Sequence, residues 1–244
     1  MFPSKPSFLN LMTLFNYRVF FIISSCAESE ELPFRTTKDL DIALIVESIT
    51  YEFGKAFWKY IKEAEYSHIN KSTQNAQFYR FTSPKSNEYP FMIEIFSRNP
   101  DYIILEDDAY LTPLPIDEEV SSLSAILLNE EYYELLKTGQ IIVDGIPVLR
   151  PTCLIPFKMK AYLDLSMRKK SGEHVDSKNI KKHKNDVFRL AQVIALDTRQ
   201  MVSAEILEDM KQFLGLVEND NVDLKTIGIK EISYKTMIEL LYRC

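Results

Sequence analysis

Two aspartates separated by a single residue, Asp39 and Asp41, stand in the run Asp-Leu-Asp-Ile-Ala-Leu-Ile-Val. On an extended strand both side chains leave from one face, ~7 Å apart along the chain. Like charges on a half-buried face are costly unless a cation sits between them. Magnesium, or manganese, suits that place because it takes hard oxygen ligands and keeps positions open for phosphates. Glu94 offers a third acid, inside Phe91-Met92-Ile93-Glu94-Ile95-Phe96, where a charge has no packing rationale. If that strand pairs beside the first, the three carboxylates form a cluster suited to metal-assisted phosphoryl chemistry. Arg35, Thr37 and Lys38, just upstream, add cations and a hydroxyl for a triphosphate. A plainer reading stands beside this one: an exposed Asp-x-Asp strand face, with Glu94 turned to water from a sheet edge.

The elements that must position these groups are legible as patterns. Residues 39–46 read as a strand with Leu40, Ile42, Leu44 and Val46 on one face and the aspartates on the other. Residues 19–23 read as a short buried strand, preceded by the last turns of a helix over 9–15. Ile49, Phe53, Phe57 and Ile61 recur every four residues and define an amphipathic helix. Its aromatic group, Tyr51, Phe57, Trp58 and Tyr60, fits core packing, with base stacking the lesser alternative. Strands are expected over 78–82, 91–97 and 102–105. A short helix over 129–138 ends at Gly139 as a C′ residue, and Val143-Asp144-Gly145-Ile146 signals a two-residue hairpin.

From Pro151 the period becomes helical. Leu154, Phe157, Ala161 and Leu165 mark one helix with Pro156 in its first turn. A polar loop over 169–176 leads to a second, running to 196 with Val187, Leu190, Ala191 and Ile194 inward. Helices over 203–214, ended by Gly215, and 233–241 complete an all-helical back half. The fold class expected is therefore α+β, with a mixed-sheet front half.

Composition excludes several classes. Of 244 residues, 46% are hydrophobic and 26% charged, an ordinary globular balance. Six glycines argue against a glycine-rich phosphate loop, and three scattered cysteines and three scattered histidines against a disulfide scaffold or zinc centre. The net charge of −6 is uneven: residues 151–200 hold 11 Lys/Arg against 5 Asp/Glu. A basic segment on an acidic protein suits a localised anion contact or a solvated helix face. Ile23-Ser24-Ser25-Cys26 has the form of a lipoprotein cleavage site, but Asn16 and Arg18 cut the apolar run before it into pieces too short for an export signal. The expectation is a cytoplasmic protein with reduced cysteines, Cys26 and Cys153 buried and inert. The acidic run Glu106-Asp107-Asp108 reads as a solvated loop, and His183, within Lys-Lys-His-Lys, as a surface histidine rather than an acid–base partner of Asp186.

The segment Phe34-Arg35-Thr36-Thr37-Lys38-Asp39-Leu40-Asp41-Ile42 resembles the signature of the nucleotidyltransferase superfamily, closest to the nucleotidyl transferase AbiEii toxin-like branch. Ile93-Glu94-Ile95-Phe96-Ser97 and the stretches 154–165 and 178–191 fit the same branch in order. The resemblance implies a nucleotidyltransferase-like catalytic domain over 1–152 and a helical subdomain over 153–244 that closes the cleft. It implies that Asp39, Asp41 and Glu94 ligate the metal and that Lys158, supported by Lys160, contacts nucleotide phosphates. Asp186 would orient or deprotonate the acceptor, and Lys182 and Arg189 would support either role. Ser24 and Ser25 occupy the place of the family's Gly-Gly or Gly-Ser turn, where serine supplies amides and a hydroxyl but restricts φ.

The activity so implied is transfer of a nucleoside monophosphate from a triphosphate to an acceptor hydroxyl, in a toxin-like protein with tRNA or another RNA as acceptor and a cognate antitoxin as partner, away from membranes. A degenerate, non-catalytic nucleotide or partner binder and a small-molecule nucleotidyltransferase remain open beside it.

Overall fold

The computed structural model describes residues 19–22, 39–45, 49–69, 75–101, 105, 111–114, 124–143, 146–195, 198–220, 222–230 and 232–243. The chain is α+β, with an eight-stranded mixed sheet and, among the described residues, six α-helices. It divides into two compact units. The first holds the strands, with Thr36–Tyr133 and Gln140–Leu149; the second holds Glu134–Gly139 and everything from Arg150 onward. The last segment of the second unit begins at Arg150.

In the sheet unit, β1 (Val19–Ile22) runs antiparallel to β2 (Asp39–Leu44) and parallel to β8 (Ile146–Leu149). β2 runs parallel to β4 (Met92–Ser97). Along its first half β4 also takes β3 (Arg80–Thr82) antiparallel, and along its second half β6 (Ser124–Leu127) parallel. β5 (Leu111–Pro113) and β7 (Gln140–Val143) close the two ends of the strand order β5-β6-β4-β2-β1-β8-β7. The expected hairpin is present as β7–β8, with Val143 opposite Ile146. β5 and β6 carry no alternation that the sequence announces.

Alternation fixes which face of the sheet is buried. Leu40, Ile42 and Leu44 on β2, Ile93 and Ile95 on β4, and Phe81 on β3 are all buried. Against this face lies α1 (Tyr51–Glu63), capped by the Thr50 hydroxyl, which accepts from the Phe53 amide at 3.3 Å. Phe57, 1% exposed, stacks on Phe53 and meets the Phe81 ring edge-on at 5.4 Å. Trp58, half-buried, reaches Phe78, Phe81 and His68 in the same way, and Phe57 and Tyr60 are core, whereas Tyr51 is half-buried under Lys55. Ile49 precedes the cap and is not part of the helix. Ser97, the polar residue of this face, donates its hydroxyl to the Leu44 carbonyl at 3.1 Å and so ties β4 to β2.

α2 (Glu130–Thr138) ends at Gly139 as expected, but without a left-handed glycine: of the described glycines only Gly172 and Gly228 have positive φ. In the helical unit, α3 (Pro151–Lys170) begins a turn earlier than its period suggests, with Pro151 at its start and Pro156 well inside it. Its buried residues include Cys153, Leu154, Ile155, Met159 and Leu163, whereas Phe157, Ala161 and Leu165 are only half-buried. α3 packs on α4 (Ser177–Ala191) and α5 (Ala204–Val217). α4 stops at Ala191, short of 196, and α5 runs through Gly215, which was expected to end it. A 3₁₀ turn (Leu224–Ile227) precedes α6 (Tyr234–Arg243).

Among the described residues no helix is long and apolar enough to cross a membrane. The expected helix over 9–15, the strand residues 102–104 and the acidic run 106–108 lie outside the described residues, as do Asp144, Gly145, Cys26 and Cys244.

Candidate functional site

The parallel register of β2 and β4 pairs Asp39 with Met92 and Asp41 with Glu94. Paired residues of neighbouring strands share a face. Asp39, Asp41 and Glu94 therefore project from one side of the sheet, opposite the face that α1 covers. All three are half-buried. The sequence puts them there because each alternates with a buried aliphatic: Leu40 and Ile42 on β2, Ile93 and Ile95 on β4.

A fourth residue, not anticipated, completes the row. β3 pairs Arg80 with Glu94, so Asp41, Glu94 and Arg80 lie side by side across three strands. Arg80 grips one oxygen of Glu94 twice: Nε donates to Oε1 at 2.6 Å, and a terminal nitrogen lies 2.5 Å from the same oxygen. The Glu94 side chain is 13% exposed and that of Arg80 41%. Partial burial works against the Arg80 charge. The Glu94 carboxylate more than offsets it, with Tyr79 and Asp41 adding, and the guanidinium pKa is raised above its ordinary value. A signal for Arg80 existed: like Glu94, it is a lone charge in an apolar run, Phe78-Tyr79-Arg80-Phe81.

The cation that the acid face calls for is thus partly supplied by the chain. Among the described residues no three His, Cys, Asp or Glu side chains close into a metal-holding group. By donor chemistry Asp39 and Asp41 suit magnesium or manganese. Arg80 already occupies one oxygen of Glu94, the third acid of the face.

The remaining expected residues belong to the helical unit. Lys158, on α3, is 6% exposed and has neither a hydrogen bond nor an ion pair among the described residues. A lysine so enclosed without a counter-charge is uncommon. Lys160 is engaged: its Nζ lies 3.2 and 3.1 Å from the two carboxylate oxygens of Asp209 on α5, and 3.8 Å from Asp164. It ties α3 to α5, which is a structural task. Asp186 pairs with Arg189 at 2.9 Å, one turn along α4.

His183 is not the surface residue expected. Its Nδ1 is shut off from solvent with no partner among the described residues, and burial, then the charges of Lys158 and Lys182, push its pKa down to about 3. The ring is therefore neutral, and Asp186 is turned to Arg189. Cys153 is buried as expected, and burial raises its thiol pKa. Ser24, Ser25, Arg35, Thr37 and Lys38 lie outside the described residues. Comparison of the chain with protein-family models, with curated proteins and with solved structures finds no match.

Proposed function

We propose that the acid face of the sheet is the metal site of a nucleotidyltransferase, which moves a nucleoside monophosphate from a triphosphate to an acceptor hydroxyl. The observation that carries this reading is the β2–β4 register, which aligns Asp41 with Glu94 and keeps Asp39 on the same face. The resemblance of residues 34–42 to the nucleotidyltransferase signature supports it independently.

Asp39 and Asp41 would hold the divalent ion. Bound there, magnesium or manganese supplies a Lewis acid for phosphate oxygens. The acceptor hydroxyl gives up its proton to solvent as its oxygen forms a bond to the α-phosphorus, the bond to the bridging oxygen breaks, and pyrophosphate leaves. Ile42 and Leu44, packed on the buried face, fix the strand and hence the direction of both aspartates. The resemblance implies a phosphate contact for Lys158, which among the described residues has no ion-pair partner. The basic composition of 151–200 favours a polyanionic acceptor such as RNA, tRNA among them.

The test is pyrophosphate release with each nucleoside triphosphate, magnesium and total tRNA, wild type beside Asp41→Asn. Release that depends on the acceptor and falls about 100-fold in the variant is expected. Equal release by the two proteins would remove Asp41 from the chemistry. A second reading, binding of nucleotide without turnover, is favoured by the engagement of Glu94 by Arg80. Triphosphate binding with no pyrophosphate from any nucleotide or acceptor would select it.

A further inference from the structure

A three-acid face normally leaves its charge to an ion from solution. Here a cation is built into the row. Arg80 stands in register with Glu94, and Glu94 with Asp41, so the guanidinium meets the acids through sheet geometry rather than through a flexible loop. It holds Glu94 with two N–H groups on one oxygen, 2.6 and 2.5 Å away. With Glu94 only 13% exposed, water is a poor substitute for that partner. On the solvent side Arg80 is more open, at 41%, and lies against the Tyr79 ring, its Cζ 5.7 Å from the centroid. The guanidinium thus has an outward course that the carboxylate lacks.

We propose that Arg80 is the resident counter-ion of the acid face and competes with metal for Glu94, occupying Oε1 and neutralising the charge that a divalent ion would otherwise meet. Arg80 is then a positioning residue: it acts through Glu94 and sets the affinity of the Asp39/Asp41 pair for metal. This rests on the metal reading above. It goes further by naming the group with which metal competes.

The experiment is titration of the full chain with manganese alone, by calorimetry and by the electron-spin signal of free ion, so that turnover does not enter. Arg80→Met should bind manganese roughly 10- to 100-fold more tightly than wild type, since it both removes a nearby charge and frees Glu94. The gain should vanish when Glu94→Gln is added, which separates release of Glu94 from a general charge effect. Manganese should also raise the melting temperature of Arg80→Met more than that of wild type. Arg80→Gln, which keeps a hydrogen-bonding side chain, must show the same direction of change and serves if the Met variant does not fold. Unchanged affinity in the Arg80 variants, or a gain that survives Glu94→Gln, overturns the proposal and leaves metal binding by Asp39 and Asp41 standing. Absence of manganese binding in every variant overturns both.

Discussion

His183 gives the sharpest stability test. It lies on α4, with Nδ1 buried and, among the described residues, unpartnered, and is held neutral by burial and by Lys158 and Lys182. The perturbation is acidification from pH 7.5 to pH 5. In the unfolded chain the ring has an ordinary pKa near 6.5 and takes up a proton over this interval. In the folded chain, with a pKa of about 3, it does not. The unfolded state binds more protons, so stability is fully present above pH 6.5 and is lost as pH falls toward 3. At pH 5 the interval below the unfolded pKa is about 1.5 units, or about 2 kcal/mol. For a chain of this size that lowers the melting temperature by roughly 4–8 °C. Carboxylates contribute their own slope, so the readout is a difference: thermal or urea melts of wild type and His183→Gln at both pH values. The variant should lose about 2 kcal/mol less than wild type over the interval. Equal losses, or a His183 ring proton that titrates near pH 6.5 by NMR, would refute the burial argument.

Two further outcomes follow from the packing. Phe57→Ala removes the ring that fills the space between α1 and Phe81 at 1% exposure, and urea melts should show a loss of about 3–5 kcal/mol. Cys153, buried and with its thiol pKa raised, should be inert to a thiol reagent in the native protein when Cys26→Ser and Cys244→Ser are present, and react fully once denaturant is added; rapid native labelling would contradict its burial.

How far the sequence could be read depended on whether a residue's role was local. β2 and β4 were legible because each alternates charge or polarity with buried aliphatics, and that period survives folding. The positions of Asp39, Asp41 and Glu94 on one face followed from it. Arg80 carries a local signal, a lone charge in an apolar run, but its role depends on antiparallel pairing with β4, which no local pattern states. β5, three residues long, and β6 have no period to read. Gly215 looked like a helix stop, but Phe213, Leu214 and Val217 are buried around it, and that packing carries α5 onward. His183 was read as a surface histidine from its lysine-rich neighbours, and the resemblance gave Lys158 a phosphate contact; packing encloses both.

The pairing of Asp41 with Glu94 has a kinetic side. The two residues lie roughly fifty positions apart, and no contact between them is gained until β2 and β4 align in parallel. A slip of one residue would turn Glu94 to the face of Leu40 and Ile42 and disperse the row. The α3–α4 hairpin, by contrast, joins neighbours across a short loop and can form early. During synthesis the chain therefore acquires its acid face late, after the strand pairing has been chosen among alternatives. Until that moment Glu94 stands apart from the Asp39/Asp41 pair, and a chain trapped in the wrong register would keep its helix content without the three-acid row.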